Sequence, residues 1–109
     1  MRTDEQRLAD IVAATTDAAR LVEVGHQRFT TDPLLIRAAK NIISEIGEAA
    51  KGLDDSLLAT IPGVPWKAVK GMRDKVVHDY PEIDLDLLWD TLVHGLPDVH
   101  RAIVDHLRS

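Results

Sequence analysis

Apolar residues recur every three or four positions along most of this chain, and the rhythm breaks at glycine and proline. The spacing predicts a first helix from about Asp4 to Val24, with Leu8, Ile11, Val12, Thr15, Ala18, Ala19 and Val22 on one face and Gly25 as its stop. A second helix begins where Asp32 can cap the free amides and Pro33 fits the first helical position. Its apolar face takes in Leu35, Ile36, Ala39, Ile42, Ile43, Ile46, Ala49, Ala50 and Leu53, which is wide enough to touch more than one neighbour. Gly47 and the paired alanines allow close helix approach. Gly52 and the Asp54-Asp55-Ser56 run predict the end of this helix.

Ile61-Pro62-Gly63-Val64-Pro65 reads as a connector, since two prolines and a glycine break helix. Trp66 opens a third main helix. It must stop near Tyr80, because Pro81 disfavours helix in the residue before it. Asp84 is placed to cap the last helix, whose stripe is Leu85, Leu88, Trp89, Leu92, Leu96, Val99, Ile103 and Leu107. Gly95 and Pro97 should bend it midway. The expectation is an all-α fold: a small up-and-down helical bundle of four main helices with a kinked last helix, forming a single domain over 1–109.

A chain of this length buries roughly 65% of its unfolded surface, so a core forms without staples. Cysteine is absent, which excludes disulfides, thiolate nucleophiles and cysteine zinc sites. No apolar run resembles a secretion signal or is long enough to span a bilayer, so the expected setting is cytoplasmic, with no membrane partner.

The net charge of −5 argues against general nucleic-acid binding, which rests on neutralising phosphates. The sign is uneven, however. Lys67, Lys70, Arg73 and Lys75 form a basic island with only Asp74 against them in the local sequence. An acidic run of Asp79, Glu82, Asp84, Asp86 and Asp90 follows. A basic spot on an acidic body suits a small anionic site. A solvated charged helix face is the plain alternative.

The densest chemistry lies in Arg73-Asp74-Lys75-Val76-Val77-His78-Asp79-Tyr80. Trp66, Val69, Val76 and Tyr80 share one helical face, and Arg73 falls in the middle of that stripe. A guanidinium is almost never fully buried without a partner, so this face should line a groove or an interface. Arg73 is a permanent cation with a planar fork of donors suited to phosphate oxygens. His78, near the predicted helix end and beside Asp74 and Asp79, is set to be imidazolium and to exchange a proton near neutral pH.

Together these groups suit metal-independent RNA cleavage. An arginine stabilises charge on the phosphoryl oxygens, and histidine moves protons at the attacking and leaving oxygens. One chain offers one histidine in the motif, and a two-fold dimer would bring two His78 and two Arg73 side chains to one cleft. Five residues separate Arg73 from His78, roughly 140° around an ideal helix, so they share a face only if the last turn loosens, and otherwise the long arginine side chain or the second subunit must close that gap. A snorkelling arginine, a capping histidine and a half-buried tyrosine remain the structural alternative. His94, His100 and His106 are spaced by six and scatter around the last helix, so no metal site and no cofactor are expected.

An arginine, four intervening residues, a histidine, one more residue and a tyrosine (Arg73, His78 and Tyr80) form a motif that resembles that of the HepT-like toxins, a branch of the HEPN superfamily. Ile46-Gly47-Glu48-Ala49-Ala50, Ile61-Pro62-Gly63-Val64-Pro65-Trp66 and Gly71-Met72-Arg73 resemble further segments of that family in the same order, from roughly Leu8 to Leu107. The resemblance implies a helical homodimer that acts as the RNase toxin of a type VII-like toxin–antitoxin pair. Arg73 and His78 would be catalytic and Asp74 supporting, with Lys67, Lys70 and Arg73 on the RNA phosphates. It also implies a partner, a minimal nucleotidyltransferase antitoxin that silences the toxin by transferring AMP to Tyr80. Two other readings stand beside it: a non-catalytic subunit that presents Tyr80 to the nucleotidyltransferase, and a nucleotide-binding module without turnover.

Overall fold

A computed structural model describes residues 1–78 and 84–109, with the backbone alone for 76–78. Helix α1 (Asp4–Val22) starts at a reciprocal cap: Gln6 N–H donates to Thr3 Oγ1, and Thr3 N–H donates to Gln6 Oε1. It ends two residues earlier than its sequence predicts, because the chain turns through Glu23 and Val24 into Gly25, whose φ of +91° is one that glycine adopts without strain. Of the expected inner face, Leu8, Ile11, Thr15 and Ala18 are buried and Ala19 is exposed, while Ala14 and Leu21, outside that expectation, are buried too. The neighbours above α1 decide that rotation.

A short helix, α2 (His26–Thr31), was not visible in the pattern. Six residues with one apolar member carry no periodic signal, yet Phe29 is fully buried, with its ring 5.1 Å from that of Trp89. Helix α3 (Pro33–Lys51) begins as expected, with Asp32 accepting from Leu34 N–H and Pro33 in the first turn. Its wide face buries Ala39, Ile42, Ile43, Ile46, Gly47, Ala49 and Ala50. That width is used on three sides, since α3 packs against α1, α2 and α5.

One turn of helix, α4 (Asp55–Leu58), capped by Asp54, follows. The connector then returns the chain through Gly63, at a φ of +86°, and the Trp66 indole N–H donates back to the Ile61 carbonyl. This bond fixes where α5 (Trp66–His78) begins. Asp84 caps α6 (Leu85–Asp90) by accepting from Asp86 and Leu87 N–H.

α6 runs on through a π-helical turn, Thr91–Gly95, into α7 (Leu96–Arg108). The Leu96 N–H bonds the Thr91 carbonyl five residues back. Pro97 has no N–H, and its ring would collide with the carbonyl four residues back, so the wider turn just before it is where the helix adjusts. The expected kink is therefore present, while Leu107, expected on the inner stripe, is 53% exposed at the chain end. The fold is an all-α bundle, with four principal helical segments and two short helices among the described residues. No helix among the described residues is long and apolar enough to cross a membrane.

Candidate active site

α5 reaches α3 at Gly47. A β-carbon there would lie 3.1 Å from both the Cβ and the backbone N of Arg73, and 3.4 Å from the Val69 carbonyl. Val69 is buried beneath this crossing, so Arg73 leaves α5 at the edge of the core rather than inside it. Its side chain is half-exposed, as a guanidinium on an otherwise apolar stripe must be.

The next α3 residue, Glu48, places Oε1 2.7 Å from Arg73 Nε. Arg73 Nη1 is 3.7 Å from Asp74 Oδ1, beyond hydrogen-bond length. Lys51, on the same edge of α3, holds Asp74 more closely, with Nζ 3.3 Å from each carboxylate oxygen. Lys70 Nζ donates to Asp55 Oδ1 at 3.1 Å. Lys67 and Lys75 are exposed.

The basic island thus differs from its appearance in sequence. Asp74 is not the only carboxylate against it, because α3 and α4 bring Glu48 and Asp55 to it, and Lys51 adds a cation. Glu48 stood in a segment that carries the family resemblance but was given no role there, and Lys51 and Asp55 were missed because no motif logic pointed to them. The available signal was the three-residue spacing of Glu48 and Lys51 beside Gly47, on the edge of α3 left polar by its own stripe. Exposed ion pairs contribute roughly 0.2–1 kcal/mol each, so this network orients groups more than it holds the fold. Glu48 also belongs to one wall of a cleft of about 680 Å³ between α1 and α3, which Arg2, Arg7, Asp10 and Asn41 help to line.

α5 stays α-helical through His78. Positions 73 and 78 therefore keep their separation of roughly 140° about the axis, and the last turn does not loosen to bring them together. The His78 side chain, Tyr80 and the acidic residues Asp79 and Glu82 lie outside the described residues, as does the Val76 side chain of the predicted stripe.

The site is a half-exposed arginine rooted against a glycine of the neighbouring helix, on a helix that carries a histidine five residues on. The family model described as Ribonuclease HepT-like matches residues 11–105. The chain belongs to the HepT-like family. It is 32% identical over 90 residues to the protein named "Putative RNase TTE0752" of Caldanaerobacter subterraneus subsp. tengcongensis, an alignment covering 83% of this chain and 80% of that one. It is 29% identical to "Putative RNase MJ0127" of Methanocaldococcus jannaschii, over 95% of this chain and 81% of that one. To the "Probable ribonuclease HepT" of Thermococcus cleftensis it is 30% identical, over 71% of this chain and 70% of that one. No solved structure gives a significant match.

Proposed function

We propose that this protein is a metal-independent endoribonuclease, the toxin of a type VII-like pair whose antitoxin is a minimal nucleotidyltransferase. The observation that carries the proposal is the placement of Arg73. It is rooted where α5 touches α3 and its side chain is half-exposed, with Glu48 against Nε and Asp74 Oδ1 3.7 Å from Nη1. A half-exposed guanidinium at that edge suits a phosphate.

In the proposed reaction the ribose 2′-hydroxyl gives its proton to a neutral His78 and its oxygen attacks the adjacent phosphorus. Negative charge gathers on the non-bridging oxygens, where Arg73 lies. The bond from phosphorus to the 5′-oxygen breaks, and that oxygen takes a proton from a second, protonated His78. The products are a 2′,3′-cyclic phosphate and a 5′-hydroxyl. Base and acid act best as separate groups, and one chain offers a single histidine in the motif. A two-fold dimer supplies both through its two copies of α5. Asp74 supports His78 one helical turn away, and Lys67 and Lys70 attract flanking phosphates. Control comes from AMP placed on Tyr80, whose added phosphate competes for the same cations.

One observation favours a second reading, in which the protein is a non-catalytic partner that presents Tyr80. Arg73 and Lys70 each already contact a carboxylate. Expression in cells separates the two. Growth arrest that disappears with His78→Ala supports the nuclease. A harmless protein that still accepts AMP supports the partner role.

A further inference from the structure

We infer that Glu48 is a positioning residue for the motif arginine, acting from α3 on a guanidinium carried by α5; this rests on the nuclease reading above. Three observations lead to it. The contact is made at Nε, the guanidinium nitrogen nearest the chain, at 2.7 Å. A carboxylate placed there anchors the group by its base and leaves Nη1 and Nη2 at the tip for a phosphate. A carboxylate that blocked the site would instead sit across the tip.

The second observation is that the root of Arg73 lies close over Gly47, the residue before Glu48: a β-carbon there would stand 3.1 Å from the Arg73 Cβ and backbone N. One short stretch of α3 therefore lies against both the root of the side chain and its Nε. The third is that Lys51, one turn further along α3, engages both oxygens of Asp74 at 3.3 Å. The adjacent carboxylate is neutralised and kept beyond hydrogen-bond length of the tip.

A positioning role predicts a loss in turnover and not in binding, because orientation matters most where charge develops. The test uses the full chain and a single-stranded RNA oligonucleotide. Glu48→Ala should lower kcat by on the order of 10- to 100-fold with KM unchanged or lower, since a negative charge has also left the phosphate site. Glu48→Gln, which keeps an oxygen near Nε, should recover a large part of that loss. In ¹⁵N spectra the Arg73 Nε–Hε signal should broaden or shift in Glu48→Ala and stay near its wild-type position in Glu48→Gln, whether or not RNA is present.

A rise in kcat for Glu48→Ala would show a blocking carboxylate and overturn the inference. So would an altered Arg73 signal with kcat unmoved, or equal losses in both variants that track a drop in folded fraction. If the wild-type protein leaves RNA intact while the Arg73 signal still responds to Glu48→Ala, the ion pair stands, but the nuclease reading fails and the positioning role fails with it.

Discussion

Arg73 emerges from α5 directly opposite Gly47 on α3, so close that a β-carbon at Gly47 would stand 3.1 Å from the Arg73 backbone N. The candidate catalytic arginine is thus placed by a residue with no side chain. The atoms in the way are the root of Arg73 and the Val69 carbonyl, all part of a helix, and they can give only if the whole of α5 shifts.

Gly47→Ala should therefore destabilise the fold. Overpacking of this kind costs about 1–3 kcal/mol, while alanine gains up to about 1 kcal/mol over glycine in helix propensity, so a net loss of about 1 kcal/mol is expected. Gly52 is the matched control. The atoms nearest a β-carbon there belong to the outer part of the flexible Arg7 side chain, which can swing aside at the loss of an exposed hydrogen bond to the Arg2 carbonyl, and the φ of −82° suits alanine. Gly52→Ala should be neutral or stabilising by up to about 1 kcal/mol. Urea denaturation of both variants checks this, and a Gly47→Ala protein at least as stable as wild type would mean that α5 adjusts freely.

Arg73→Ala and His78→Ala should each reduce RNA cleavage by about 100- to 1,000-fold, the usual effect of losing an electrostatic stabiliser or proton-transfer group. Helical circular dichroism should be unchanged, because the Arg73 side chain is half-exposed and its ion pair contributes little stability. Cleavage by the wild type should continue in EDTA. An absolute requirement for added magnesium would sink the metal-independent mechanism, and near wild-type rates in either variant would sink the role assignment.

The protein should be a two-fold dimer at micromolar concentration. Light scattering is the direct measurement, and a monomer that cleaves RNA would exclude the composite site. Mixing Arg73→Ala with His78→Ala protomers should leave clefts holding one arginine and one histidine, whose activity reports whether the two roles can be shared.

Tyr80 should be the AMP acceptor when the partner nucleotidyltransferase and ATP are supplied. It is the only tyrosine in the chain. Intact-mass analysis should show AMP increments on the wild type and none on Tyr80→Phe, which should also escape the antitoxin. Increments that survive the substitution would name another residue.

The far side of the bundle offers a test independent of chemistry. Thr15 is buried on α1, with its hydroxyl 2.9 Å from the Ile11 carbonyl and 2.8 Å from His100 Nδ1 on α7. The hydroxyl has one proton: it donates to the Ile11 or Val12 carbonyl when His100 donates from Nδ1, and to Nδ1 in the other tautomer. Thr15→Val removes the contact in either case and should cost about 1–3 kcal/mol by leaving the partly buried ring nitrogen without this partner, and a Thr15→Val/His100→Ala cycle should show coupling of about 0.5 kcal/mol or more. Strict additivity would mean that the contact does not form in solution.

Sequence alone determined what acts within a turn or two of chain. The Asp32 and Asp84 caps, Pro33 at its first-turn position, the connector from Ile61 to Pro65 and the bend before Pro97 are local, because capping bonds and proline sterics involve near neighbours. The motif around Arg73 was legible for the same reason: its chemistry is written in eight consecutive residues. Tertiary structure alone decided that α1 also buries Ala14 and Leu21 while leaving Ala19 exposed, why the six residues of α2 fold at all, and which carboxylates meet the basic island. Phe29 forms a helix because Trp89 and the core cover it, not because its neighbours favour one. Lys51 reaches Asp74 across 23 residues and Thr15 reaches His100 across 85, distances over which no periodicity carries information. The candidate site is therefore half local and half assembled. Its arginine and histidine are read from one helix, while the glutamate and glycine beside the arginine, and the lysine that holds Asp74, are supplied by packing α5 onto α3.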